Sequence, residues 1–510
     1  MQPMLADLTA RITRHRWPAR ITRHRWAIAL ALLPVLVMAI RWASFLPSVI
    51  DWDESLYVLQ AREWLRGNWP FSGVWDMHPP GAPAVIAAAF LLAGESLETV
   101  RLLGVVCVTA TGYALIALVR VVGAPRSLGY AAAVLYAAHT LLMGGLASNT
   151  EILFAPLIVS SLAIALAPGP PWPRLIGMGL LVGCALLIKQ VVTPEGCLAF
   201  AIFAWPLLRA RRWGLLAATA AAYAVLCLTP TMLVAGIYAL RGEFGIWFES
   251  TVLAPLQYAS GRIPLEQMFW RITLSALAFR WLLAMAIPAL LLPWADPSLR
   301  RLTLFALGWL AAAALAVAGP GFFFPHYFLI LLPPLSLLAA IGAYAFAERL
   351  AGRQGRLMLA AAVGLVAVDL VVLDIAPRLS RGFAMGTPDT PRRMAALMND
   401  ELQPEDTIFV PNYQPVVYFL TQARLPTRFP FPVHLTGNFA NLAGVDMDVE
   451  VARILASKPR FIVLDRTEWF GMRPSAMSML TEALEEGYEL AASFAEERGA
   501  VELWRRLEVE

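Results

Sequence analysis

Long apolar runs, separated by short connections rich in arginine or in proline and glycine, fill the first 375 residues of the chain. Read as membrane spans against a hydrocarbon core of ~30 Å, these runs lie at 27–50, 99–119, 127–145, 149–167, 173–190, 195–208, 213–237, 273–293, 301–319, 323–346 and 355–375. One more run, 79–94, is short and opens on Pro79-Pro80. If it lies along the interface, the Arg-rich connections at 120–126, 209–213, 300–301 and 349–356 all fall on the side of the N-terminus. If it crosses, that order is scrambled. The excess of Lys and Arg on cytoplasmic loops therefore favours eleven spans, with the N-terminus inside and the end of the chain outside.

After about residue 377 the period shortens. The pattern predicts a helix near 390–402, a strand at Thr407–Pro411, a helix near 446–457 and a strand at Arg460–Asp465. A helix near 476–486 and strands near 489–495 and 500–506 follow. Such alternation describes a small α/β domain. It contains no glycine-rich phosphate loop and no nucleophile motif. The expected fold class is thus an α-helical polytopic membrane protein of about eleven spans with a C-terminal extracytoplasmic α/β domain.

Composition agrees with the pattern. The chain is 59% hydrophobic and 15% charged, where soluble domains run at roughly 45–50% and about 25%. A soluble enzyme, a disordered scaffold and a nucleic-acid binder are excluded. The net charge of +4 hides a division: residues 1–376 hold 26 Lys and Arg against 17 Asp and Glu, and residues 377–510 hold 14 against 19. Three units are expected: a basic cytoplasmic N-terminus (1–26), a membrane domain (27–376) with external loops 51–98 and 238–272, and the soluble tail (377–510). The N-terminus contains a tandem repeat, RITRHRWPARITRHRW, with Arg11, Arg14, Arg16, Arg20, Arg23 and Arg25. It suits a headgroup anchor before an uncleaved first span. Cys107, Cys184, Cys197 and Cys227 lie in apolar runs, so no disulfide framework is expected.

Candidate chemistry gathers at the outer ends of the spans. Directly after the first comes Asp51-Trp52-Asp53-Glu54-Ser55-Leu56-Tyr57, then Arg62-Glu63-Trp64, then Asp76-Met77-His78-Pro79-Pro80-Gly81. Three carboxylates within four residues repel one another, which points to catalysis or cation binding more than to a solvated loop. Lys189, before Gln190, is one of two lysines in the chain against 38 arginines. A compact ammonium there suits a small oxyanion such as phosphate, although a snorkelling lysine is the plainer reading. Glu151, Glu249 and His326-Tyr327 mark further outer ends or loops. Asp369 and Asp374, near the outer end of the last span, read as solvated helix-end acids.

These residues resemble the GT-C membrane glycosyltransferases. The resemblance rests on the acidic pair and Tyr57 after the first span, the basic residue before Pro79-Pro80, and His326-Tyr327 entering a late span before Leu332-Pro333-Pro334-Leu335. The chain is similar in particular to the protein O-mannosyltransferase superfamily and the lipid A aminoarabinose transferases, over roughly residues 27–375. The likeness is strongest over 51–103, where Glu98-Thr99-Val100-Arg101-Leu102 also fits. It implies a polyprenyl-phosphate-linked sugar donor, a lipid, glycan or protein acceptor, and transfer at the extracytoplasmic face of a bacterial inner membrane. Asp53 matches the family's catalytic base and Glu54 its neighbour. Lys189 matches a lysine near the lipid phosphate, and His78 stands where many relatives carry lysine. Glu249 aligns with a glutamate followed by histidine in some relatives. Here Ser250 follows, and Met77 replaces an acid, which weakens the case for a zinc site; a divalent cation stays open and no cofactor is certain.

A transfer of this kind needs a base for the acceptor hydroxyl and cations for the departing phosphate. Asp53 would supply the first, and Lys189, His78, Arg262, His326 and Tyr327 the second. Asp51, Tyr57, Glu151 and Glu249 are further candidates. One base with no carboxylate nucleophile implies inversion at the anomeric carbon. The alternative is a transporter or flippase of lipid-linked sugars, which would place its binding groups near the bilayer centre.

Overall fold

The computed structural model describes residues 19–292, 296–351, 354–380, 389–467, 471–496 and 499–507. The first half of the N-terminal basic repeat lies outside them. The apolar runs all become helix. Among the described residues, eight helices are long and apolar enough to cross a membrane. The run at 273–293 belongs to a ninth candidate, the pair Leu265–Ala278 and Arg280–Leu291, bent by 78°. At the bend Arg280 donates to the Leu277 carbonyl at 3.2 Å and faces Asp369 at 3.7 Å. Trp281 Nε1 donates to the same Asp369 carboxylate at 2.9 Å. Asp369 is therefore paired as well as half-exposed. The runs at 127–145 and 149–167 contain the shorter helices Arg126–His139 and Thr150–Leu166.

The short run forms helix Gly81–Ala93, 13 residues. At about 1.5 Å per residue it is about 20 Å long, too short for the ~30 Å core. Arg101, one turn into helix Leu97–Val121, makes an ion pair with Glu54. That pair puts residues 54 and 101 at the same level, so the intervening chain returns to the face it left. Loop 51–98 is consequently an ordered layer, built from helix Trp52–Leu65 and helix Gly81–Ala93.

Two buried polar side chains within the helices find partners. Arg41 donates to Thr140 Oγ1 at 2.8 Å and to the carbonyls of Gly145 and Leu146 at 2.7 and 2.9 Å. Glu195 accepts from Trp309 Nε1 at 2.6 Å. Unpaired, either charge would be costly in an apolar interior.

The tail carries a four-stranded sheet in the order β1-β2-β4-β3, from Ile408–Phe409, Phe461–Asp465, Gly499–Arg506 and Tyr488–Glu496. β1 and β2 are parallel and the other pairings antiparallel. Helices Thr390–Asn399, Met447–Ala456 and Pro474–Gly487 stand close to their expected places. The tail is seated on segment 48–98 and on Tyr258. Asp389 caps its first helix and accepts from the Ser48 backbone N–H and hydroxyl. Arg62 donates to the Tyr418 carbonyl at 2.8 Å, and the Phe90 and Phe419 rings stack at 6.1 Å. Trp75, Met77 and Tyr258 join Phe409, Phe429, Leu435 and Ile462 in one apolar cluster.

Candidate active site

The crowded acids are separated by the helix they begin. Asp51 has extended backbone and its Oδ1 accepts from the Asp53 N–H at 3.0 Å, capping helix Trp52–Leu65. Asp53 and Glu54 follow in the first turn, where the helix dipole favours negative charge. Successive residues point about 100° apart around a helix, so the two face different neighbours. Glu54, 2% exposed, pairs with Arg101 and accepts from the Ser148 N–H at 2.6 Å. Glu54, expected beside Asp53 in the chemistry, is thus occupied on both oxygens by the scaffold.

Asp51 and Asp53 instead face His326, which follows the extended Phe324 at the mouth of a late span. The Asp51 Oδ2 lies 3.6 Å from His326 Nδ1, and the Asp53 Oδ2 lies 3.5 Å from Nε2. Gly144 makes room for this arrangement. Its φ is +78°, and a Cβ there would stand 3.1 Å from the Asp51 carboxylate, so glycine answers both a left-handed backbone and a close approach. Arg41 holds the turn that contains it.

Two basic side chains stand nearby, each set by a carboxylate. Lys189 Nζ donates to Glu151 Oε1 at 2.7 Å and sits 4.5 Å from the centre of the Tyr327 ring. His78 Nδ1 lies 3.1 Å from Asp76 Oδ2, leaving Nε2 outside that contact. Tyr57 meets the His78 ring edge-on at 6.2 Å. The hydroxyls of Tyr258 and Tyr327 are 2.9 Å apart.

His78, Lys189, Gln190, Tyr258 and Tyr327 line a cavity of about 490 Å³. Its remaining wall is mostly apolar, with Leu186, Leu228, Leu256, Leu315 and Ala316 contributed by several helices. The cavity thus joins a few polar and basic groups to a largely apolar wall, the mixture a lipid phosphate needs.

Electrostatics divide the acids further. Burial pushes the Asp53 carboxyl up, and neighbouring Asp51 adds to this; His326, Lys189 and His78 pull the other way, leaving it at about 6. Burial also opposes ionisation of Asp51, but the charge of His326 and the hydrogen bonds it accepts hold its carboxyl below the usual value. Asp76 is likewise held low, because His78 outweighs burial. Oxygens of Asp51 and Asp53 and a nitrogen of His326 lie within 4.8 Å of one another. The buried Nε2 of His326 has no hydrogen-bond partner. Two carboxylates and an imidazole suit a divalent cation.

Two expected residues stand apart. Arg262 is exposed and spends its guanidinium on the carbonyls of Ala259 and Gly261. Glu249 is exposed and does not line the cavity. Asp76, Arg101 and Tyr258 carry positions that sequence reasoning gave no role. A lone arginine inside an apolar run was a usable signal for Arg101; Tyr258 offered none.

Residues 77–238 match the family described as dolichyl-phosphate-mannose-protein mannosyltransferase. The fold is similar to that of ArnT from Cupriavidus metallidurans bound to undecaprenyl phosphate, with a TM-score of 0.65 and 16% identity, covering 94% of this chain and 98% of that one. The apo form of the same protein gives a TM-score of 0.64 at 16% identity, covering 95% and 98%. The archaeal oligosaccharyltransferase AglB from Archaeoglobus fulgidus, in complex with an inhibitory peptide and a dolichol-phosphate, gives 0.52 at 13% identity, covering 94% and 74%. A comparison with curated protein sequences finds no match. The chain therefore has the GT-C fold of membrane glycosyltransferases, and it is a multi-pass membrane protein.

Proposed function

We propose that the protein is a glycosyltransferase that moves a sugar from a polyprenyl-phosphate donor to an acceptor hydroxyl. The observation that carries this reading is the cavity lined by Lys189, His78 and Tyr327 together with a mostly apolar wall. The lipid would lie along the apolar wall and its phosphate against Lys189, His78 and Tyr327. Asp53 stands just behind, against His326.

In the reaction the acceptor oxygen attacks the anomeric carbon as the bond from that carbon to the phosphate oxygen breaks. The hydroxyl proton passes to Asp53. The lipid phosphate leaves with one more negative charge, which Lys189 and His78 meet. Glu151 and Asp76 orient these two cations, and Glu54 with Arg101 holds the helix that presents Asp53. Attack opposite the leaving group, with no carboxylate nucleophile, inverts the anomeric carbon. A divalent cation on Asp51, Asp53 and His326 would add positive charge beside the base; no step above depends on it. Asp51 and Tyr57 complete the walls around His326 and His78.

The membrane unit (27–376) would bind the donor, with the tail (377–510) on the extracytoplasmic face of a bacterial inner membrane and the basic N-terminus inside. The test is transfer from a polyprenyl-phosphate sugar by purified protein in proteoliposomes, with the product's anomeric configuration read by NMR. Inverted product that requires Asp53 supports the reading. Retained configuration, or full activity of Asp53→Asn, contradicts it.

A further inference from the structure

Tail residues do not line the donor cavity among the described residues, yet two of them reach the side chains directly behind its polar groups. The first is His434, 3% exposed, with no hydrogen-bond partner at Nδ1. Its ring meets Trp75 edge-on at 4.9 Å and Phe431 at 5.2 Å. The Trp75 N–H donates to the Arg428 carbonyl at 2.7 Å, so the tail grips the backbone just before Asp76, whose carboxylate orients His78. The second is Phe439. Its ring lies 5.2 Å from Tyr258 and 5.3 Å from Phe322. Tyr258 in turn stacks on Phe322 at 4.4 Å and shares a hydrogen bond with Tyr327, the ring under Lys189.

We infer that segment 429–439 of the tail positions the donor's phosphate site, His434 through Trp75 and Asp76 onto His78, and Phe439 through Tyr258 onto Tyr327. The inference rests on the donor-site reading given above. It makes the tail part of the binding apparatus, although none of its described side chains lines the cavity. His434 and Phe439 are positioning residues. Aromatic contacts of this kind hold a neighbour's orientation beyond what burial alone supplies, and small misplacements at a binding head weaken it measurably.

The test uses the full chain in detergent, with undecaprenyl phosphate as the probe and thermal unfolding measured on every variant. His434→Ala and Phe439→Ala are each expected to weaken binding about tenfold, or about 1.4 kcal/mol. Phe439→Tyr should bind as wild type. Arg466→Ala, which breaks an exposed tail pair with Glu502, should leave binding unchanged. Should Phe439→Ala not fold, Phe439→Leu keeps the bulk without the aromatic edge and carries the same criterion. Wild-type binding by the His434 and Phe439 variants, while Lys189→Ala binds weakly, overturns the inference and spares the donor site. Equal weakening by Arg466→Ala also overturns it, since the effect would then be general loosening of the tail. Wild-type binding by Lys189→Ala instead removes the donor-site reading, and this inference with it.

Discussion

Glu54 is 2% exposed and has each carboxylate oxygen matched, one by Arg101 and one by the Ser148 N–H. Asp53, one residue earlier, keeps 27% of its side chain accessible and meets His326 only at 3.5 Å. The two share a helix turn, a charge and a loop. What separates them is the direction each takes from the helix: Glu54 turns to Arg101 and Ser148, Asp53 to His326. A buried pair is costly to break because the remaining charge is stranded, so the Glu54 pair is expected to carry stability. A carboxylate held only at 3.5 Å and raised to about 6 can take up a proton, which is why the base is proposed to be Asp53.

The comparison breaks most visibly if Asp53 can be dispensed with. Asp53→Asn should lower turnover by roughly 10²–10⁴-fold, the range for general base catalysis, with unfolding temperature unchanged. Approached from the other cluster, Arg101→Ala strands the Glu54 charge. It should cost about 3–5 kcal/mol of stability, seen as a large drop in unfolding temperature. Lys189→Ala should reduce kcat/KM by roughly 10²–10³-fold, with weaker donor binding and a slower step, because the phosphate meets the ammonium before and during bond cleavage.

Smaller effects sharpen the assignment. Asp53 accepts a proton only when ionised, and its carboxyl is raised to about 6. The transfer rate should therefore rise with pH up to about 6, about tenfold per unit at the low end, and level off above. A profile flat down to pH 4.5 would remove Asp53 as the base. Arg262→Ala and Glu249→Ala should change turnover less than twofold, since both residues are exposed and neither lines the cavity.

The periodicity of the chain made the helices, the short 81–93 segment and the tail's strands legible, because apolar period and length are properties of the residues themselves. Lys189 and His326 could be singled out as unusual residue types at the ends of apolar runs. Pairing was not legible. Nothing in the sequence says that Glu54 finds Arg101 whereas Asp53 finds His326, since partners 47 and 273 residues away (101 minus 54, 326 minus 53) are chosen by helix packing. The local contacts of Arg262 were not legible for the same reason: an arginine in a loop looks available until nearby carbonyls accept from it. The bend at Arg280 and the seating of the tail on Trp75 and Tyr258 likewise depend on contacts between distant segments.

The most direct measurement is single-turnover transfer by Asp53→Asn and Glu54→Gln side by side, scaled to folded protein and paired with thermal unfolding. Asp53→Asn should unfold like the wild type and transfer roughly 10²–10⁴-fold more slowly. Glu54→Gln should unfold at a lower temperature, while its folded fraction transfers at close to the wild-type rate. A stable Glu54→Gln that cannot transfer, beside an active Asp53→Asn, would contradict the division between the two carboxylates and place the base one residue further along the chain.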